Sequence, residues 1–303
     1  MKITKKYLAA AAQLGAIQPH DTKEQVVERM YALMQQAKSA NAKLVVFPEL
    51  CFTTFFPRYY FDQEADLDSY FEEECPLELI SSILALIKDS GMLISFGYAE
   101  KEVHDRFNTS VILNSSGLLI GKYRKIHLPG HYEYEALRPF QHLEKRYFQK
   151  GNLGFPTFST EFGKLGMCIC NDRRWPETFR VLALNGAEIV TLGYNTPKHY
   201  PLVPEHDHLQ DFHNHLSMQG AAYANGIWII ASAKAGIEDG CELISGSCII
   251  SPTGEIVSES TTNNDELVLG EIDTNECLKI RENIFNFKLH RQPVEYEIIS
   301  KQI

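Results

Sequence analysis

At 303 residues, with 44% hydrophobic and 22% charged residues, the chain is long enough to bury roughly three quarters of its unfolded surface and is neither disordered nor fibrous in composition. Lys and Arg number 29 against 39 Asp and Glu, a formal charge of −10 with no basic run, which speaks against nucleic acid as a partner. No apolar run reaches bilayer length, residues 1–14 lack a cleavage-site pattern, and seven cysteines form an odd, sparse set, so a cytoplasmic protein with free thiols and no membrane contact is expected.

Residues 7–14 form a small-residue apolar run that predicts a strand. Residues 21–40 then carry Val26, Val27, Met30, Leu33, Met34 and Ala37 at helical spacing. Asp21 with Glu24 three residues later has the form of a capping box, and Asn41 stands just past the helix end. Residues 43–47 (KLVVF) read as a buried strand that delivers Pro48 and Glu49 at its C-terminal end. A helix is predicted for 77–88, a strand for 92–99, and a hairpin for 110–114 and 118–123 around Asn-Ser-Ser-Gly, with Lys125 just beyond it. Residues 127–156 read as loop. A strand over 164–169 hands over at Cys170 to a helix starting near Pro176, since proline suits a first turn. Strand 188–192, helix 206–225 and strand 227–233 follow.

The segment 247–257 (SCIISPTGEIV) echoes 110–120 (SVILNSSGLLI), which suggests two pseudo-symmetric α/β halves. Strands that are apolar throughout need cover on both faces, so helices are expected outside a layered α/β fold. No linker or composition break divides the chain, and one domain over 1–303 is expected.

Three polar residues stand where apolar strands end: Glu49 in FPEL, Lys125 in KYRKIHLP and Cys170 in GMCICNDRRWPE. In α/β sheets that is where active sites collect. Hydrolysis of an amide-type bond needs a nucleophile, a proton carrier and a positive group beside the carbonyl oxygen; thiol, carboxyl and ammonium supply them without a metal or cofactor. A carboxylate near Lys125 would keep it charged, and an ammonium near Cys170 would lower the thiol pKa. Taken singly, each residue also has an ordinary reading as a packed cysteine, a solvated strand-end glutamate and a water-facing lysine.

Together the three resemble the carbon-nitrogen hydrolase (nitrilase) superfamily, in which Glu, Lys and Cys occur in this order, each closing a strand. The resemblance runs over about residues 7–295. Within that superfamily the chain resembles the N-carbamoyl-D-amino-acid amidohydrolases through FPELCFTTFFPRYYF, GKYRKIHLPGHYEYEALRPFQHLEKRYF, CNDRRWPE, GYNTP and IFNFKLHRQP. The resemblance implies a four-layer α-β-β-α sandwich of the nitrilase type. It implies Cys170 as nucleophile, Glu49 as proton shuttle, Lys125 as oxyanion partner and Glu144 as the further glutamate that holds the lysine. Asn171, Asn195 and Thr196 would line the pocket, while His127 and His142, with His213, would brace it.

Arg173 and Arg174 follow the nucleophile, and a guanidinium fork matches a substrate carboxylate as lysine cannot. One of the two is alternatively expected to brace the turn against Asp172 or Glu177. His208, Asp211 and His215 could share a helical face, but their spacing fits no specific zinc pattern and no metal is expected. Cys168 reads as a small buried hydrophobe.

The function expected is cysteine-dependent hydrolysis of N-carbamoyl-D-amino acids to D-amino acid, ammonia and carbon dioxide. The alternatives are an amidohydrolase of another carbamoyl or amide substrate, such as a β-ureido acid, and a catalytically idle scaffold on the same fold. The resemblance also implies a homodimer or homotetramer, with a C-terminal tail, about 284–303, at the interface.

Overall fold

The computed structural model describes residues 6–301. In chain order its first strands are β1 (Lys6–Gln13), β2 (Leu44–Val46), β3 (Leu93–Glu102), β4 (Asp105–Leu113) and β5 (Leu119–Arg124). Then come β6 (Thr157–Thr160), β7 (Gly163–Ile169), β8 (Ile189–Tyr194) and β9 (Trp228–Ala233). The last are the short pair β10 (Ile237–Glu238) and β11 (Cys241–Glu242), followed by β12 (Cys248–Ile250), β13 (Ile256–Glu259) and β14 (Glu266–Asp273). The helices are α1 (Lys23–Ser39), α2 (Glu64–Asp68), α3 (Ser81–Ser90), α4 (Glu144–Tyr147), α5 (Pro176–Leu184), α6 (Gln210–Asn225), α7 (Asn275–Asn283) and α8 (Phe287–His290).

Two six-stranded sheets carry the fold, ordered β14-β1-β2-β3-β4-β5 and β13-β12-β9-β8-β7-β6. Both have the same sense of pairing. Two parallel steps, β1-β2-β3 and β7-β8-β9, are followed by two antiparallel ones, β3-β4-β5 and β9-β12-β13. An antiparallel edge strand closes each at the other side, β14 on β1 and β6 on β7. The echo between 110–120 and 247–257 is thus the pair of equivalent hairpins β4-β5 and β12-β13.

Successive side chains of a strand point to opposite faces, and that period sorts the layers. On β1, Ala9 and Ala11 join the core between the sheets, whereas Ala10 and Ala12 face α1 and α3. Leu44 and Val46 against Val45 and Phe47 repeat the split around β2. On the far side Phe179, Leu182, Met218 and Ala222 bring α5 and α6 onto the second sheet, which completes four layers, α-β-β-α. Where the sheets meet, their residues are small. Ser95 and Thr191 touch hydroxyl to hydroxyl at 3.2 Å, and Ser232 Oγ donates to Ala12 O at 2.7 Å.

All six apolar positions foreseen on α1 are buried, but its cap differs from expectation. Thr22, not Asp21, is the N-cap and its box partner is Gln25; Asp21 instead accepts from Gln18 N. The helix expected from 77 begins at Ser81, after a turn over Pro76–Ile80. The segment read as loop holds α4, and β6, β14 and α7 went unforeseen. All seven cysteines are unpaired, and no described helix is long and apolar enough to cross a membrane.

Candidate active site

Glu49 leaves β2 at the centre of the sandwich, where the backbone has no room to move. Gly97 N donates to Pro48 O at 3.1 Å and Cys51 N donates to Gly97 O at 2.9 Å, fastening this bend to β3. A Cβ on Gly97 would lie 2.8 Å from Glu49 Cα, and one on Gly193 of β8 would lie 2.5 Å from Glu49 N. The Glu49 peptide is therefore clamped between one glycine from each sheet. Its Oε1 accepts from Lys125 Nζ at 2.7 Å and from Asn108 Nδ2 on β4 at 2.7 Å; Oε2 is buried with no partner among the described residues.

Lys125 follows β5, with its N–H on Asn108 O at 2.8 Å and its carbonyl accepting from Gly151 N at 2.9 Å. Only glycine fits at 151, since a Cβ there would sit 2.0 Å from Arg124 O. The ammonium bridges Glu49 and Glu144, the latter at 2.6 Å, and His142 Nε2 meets the other oxygen of Glu144 at 3.1 Å. All three charged side chains are fully buried.

Burial pushes the Glu49 carboxyl above the ordinary range, and the charge of Glu144 adds to this against the pull of Lys125. Burial also works against ionised Glu144, but Lys125 and His142 outweigh it and hold that carboxyl low. For Lys125 the acidic groups around it, Cys170, Glu144 and Glu49, outweigh burial, and near neutrality the carboxylates hold the lysine as an ammonium. Of the two buried carboxyls, Glu49 accordingly has the higher proton affinity.

Cys170 ends β7 in the left-handed region, φ +46°. Its Sγ lies 3.4 Å from Thr196 Oγ1 and 3.8 Å from Arg173 Nη1. The downward pull expected of the ammonium on the thiol is present but outweighed. Lys125 and Arg173 do act downward, but burial and Glu49 act more strongly, and the thiol sits above its ordinary value. A thiol so placed keeps its proton near neutrality and needs a base.

A cleft of about 380 Å³ opens onto Cys170, lined by Asn171, Arg174, Asn195, Thr196, His142 and Trp175, among others. Both side-chain polar atoms of Asn195 are buried without a partner. Asn171 has given one N–H to His127 O at 3.0 Å. Arg174 is exposed to the cleft, and no described side chain pairs with it. Among the described residues the lining contains Arg58, Arg138, Lys145 and Arg174 but no Asp or Glu.

Arg173, His127 and His213, expected at or bracing the pocket, do not line the cleft. Arg173 is buried and spends its N–H groups on Asn214, Thr196 and the Cys170 carbonyl, so its partner is neither Asp172 nor Glu177. His127 lies outside the cleft lining, stacked on Trp175 at 5.0 Å, with Nδ1 2.7 Å from Asp172. His213 is exposed and meets His206 ring to ring at 6.2 Å, while His215 faces Glu259 at 3.4 Å.

The geometry also brings in residues that the sequence did not single out, and Asp172, expected only as an arginine's partner. Asp172 is fully buried and accepts from Tyr123 Oη, Ile169 N and His127 N, fixing the turn after Cys170. Asn108 lies in the largely polar first part of β4 (DRFNTSVIL), where nothing sets it apart. Glu238, joined to Arg58 Nη2 at 2.7 Å, Lys234 Nζ at 2.8 Å and Phe55 N at 2.6 Å, anchors the cleft wall across the two halves, and nothing local announces it.

A family model described as carbon-nitrogen hydrolase matches residues 8–282. An N-carbamoylputrescine amidase of Arabidopsis thaliana is 30% identical over 88% of this chain and 87% of its own. A citrullinase of Francisella tularensis is 26% identical over 93% and 95%. A solved carbon-nitrogen hydrolase from Helicobacter pylori G27 superposes with a TM-score of 0.84 at 25% identity, covering 98% of this chain and 99% of that one.

Proposed function

Because the chain belongs to the carbon-nitrogen hydrolase family, we propose that it cleaves N-carbamoyl-D-amino acids to D-amino acid, ammonia and carbon dioxide, with Cys170 as nucleophile. At the coarser level it is a hydrolase of C–N bonds in amide or carbamoyl compounds. What supports the finer reading is the cleft: it leads to Cys170, holds the unpaired guanidinium of Arg174, and has no carboxylate in its lining. Such a lining suits a substrate anion and disfavours a cationic tail, such as that of an N-carbamoylpolyamine.

In this mechanism the Oε2 of Glu49 takes the Cys170 proton as sulfur attacks the carbamoyl carbon. Lys125, with a backbone N–H, stabilises the oxyanion, and Glu49 passes its proton to the departing ammonia. Water deprotonated by Glu49 then hydrolyses the thioester, and the released carbamate loses carbon dioxide to leave the amine. Glu144 keeps Lys125 charged, and Asn195 offers the substrate the hydrogen bonds it lacks within the protein.

Ammonia release from N-carbamoyl-D-phenylalanine, its L-enantiomer, N-carbamoyl-β-alanine and N-carbamoylputrescine tests this, with Cys170→Ala as control. Turnover of the D-compound above the others is expected; preference for the putrescine derivative would overturn the reading. Arg174→Ala should raise KM about 10- to 100-fold with little change in kcat, since a charge-assisted bond made before and during reaction is lost. An unchanged KM would remove Arg174 from the carboxylate site.

A homodimer or homotetramer is part of the same proposal. Val181 and Leu184 on α5, Leu216 on α6 and Ile299 in the tail are exposed and line a cavity of about 1180 Å³ between these elements, and Phe212 and Ile298 are exposed on the same elements. Residues 302–303 of the expected tail lie outside the described residues. Light scattering that returned a monomer at micromolar concentration would exclude the assembly.

A further inference from the structure

A non-glycine residue keeps φ near +46° only where its surroundings hold it there, and at Cys170 Arg173 is bonded to the carbonyl while Asp172 accepts from Ile169 N. Arg173 Nη1 donates to Cys170 O at 2.7 Å, Nη2 donates to Thr196 Oγ1 at 3.1 Å, and Nε donates to Asn214 Oδ1 at 2.7 Å. The guanidinium also lies over the ring of Tyr194, 4.6 Å from its centroid. Asn214 Nδ2 donates to Tyr194 Oη at 3.2 Å, and that hydroxyl faces the carbonyls of Ser245 and Gly246 at 2.9 and 2.7 Å. Every side chain in the array is buried.

Thr196 Oγ1 receives a hydrogen bond from Arg173, so its own hydrogen is free to point at the sulfur 3.4 Å away. We propose that Arg173 and Thr196 are positioning residues for the nucleophile: Thr196 donates to the thiolate, Arg173 fixes both, and Asn214 with Tyr194 fixes Arg173. The carboxylate of the substrate is then left to Arg174. The proton balance is simple. The S–H bond of Cys170 breaks as an O–H bond forms on Glu49, and the charge left on sulfur meets the Thr196 hydroxyl and the guanidinium. The proposal rests on the reading of Cys170 as nucleophile.

The test uses the full chain and two readouts: alkylation of Cys170 by iodoacetamide against pH, followed by peptide mass spectrometry, and steady-state kinetics with N-carbamoyl-D-phenylalanine. Thr196→Val and Asn214→Ala should move the alkylation midpoint upward by about one pH unit and lower kcat about 10- to 100-fold, with KM within about threefold. Thr196→Ser should restore both. Midpoints unmoved in both variants would overturn the proposal. So would an Arg173→Lys enzyme with a raised KM and a wild-type alkylation profile, which would put Arg173 in the carboxylate clamp. Alkylation needs no substrate, so its outcome stands even where no carbamoyl compound is turned over. Wild-type Cys170 unlabelled at every pH would overturn the nucleophile reading itself, and the proposal with it.

Discussion

Glu49→Gln is expected to lower kcat by about a thousandfold or more while leaving the fold intact. Glutamine keeps the volume, and its amide oxygen can still accept from Asn108 and Lys125 at the position of Oε1. What disappears is the unpartnered oxygen of the buried carboxyl, which the proposed mechanism uses as acceptor for the thiol proton. Because burial and Glu49 hold the thiol of Cys170 above its ordinary value, little thiolate forms unaided at neutral pH. In the proposed mechanism the same group serves both acylation and deacylation, so neither step escapes.

The sign of the pH effect follows. Glu49 must be ionised to accept a proton, so activity falls as pH drops through its pKa, and burial places this limb above the ordinary carboxylate range. In the variant that limb should vanish from kcat/KM. A carboxyl whose pKa rises on folding binds its proton more tightly in the folded chain, so stability is lost as pH rises from the unfolded value to the folded one. Removing the ionisable group lifts that cost, and the Tm of Glu49→Gln at pH 7 should equal or exceed the wild-type value. Activity within tenfold of wild type, or a persisting acid limb, would end the assignment of Glu49 as base.

Gly193→Ala should cost about 1–3 kcal/mol of stability and about a hundredfold in activity, although residue 193 does not take part in the chemistry. The added methyl would lie 2.5 Å from Glu49 N and 2.7 Å from Pro48 C, atoms of backbone that no rotamer change can withdraw. One sheet must shift against the other, and the carboxyl moves with it. Gly220→Ala on α6 is the control, since nothing lies within 4 Å of its added methyl. There a gain of about 0.4–1 kcal/mol is expected from the less flexible unfolded chain. Equal Tm values for the two variants would show that Glu49 is not clamped as described.

Much of this was legible along the chain because it depends on neighbours in sequence. The apolar spacing on α1, the two equivalent hairpins and the strand ends that carry Glu49, Lys125 and Cys170 all follow from period, turn chemistry and residue type. Those patterns fix which element forms and where it stops. They cannot say which elements become partners.

The partner choices belong to the tertiary structure. β14 pairs with β1 from Lys6↔Asp273 to Gln13↔Glu266, and no local signal links segments so far apart. Arg173 and Arg174 are the same residue type side by side, yet one is turned into the protein onto Asn214 and the other into the cleft. Asn108 beneath Glu49, Gly193 against its peptide and Glu238 tying the cleft wall are likewise products of packing. Sequence alone determined the reactive groups and the elements that bear them, since both are properties of short stretches. Only the closing of the two sheets decided their distances, burial and proton affinities, because desolvation and Coulomb forces act between groups brought together in space from distant parts of the chain.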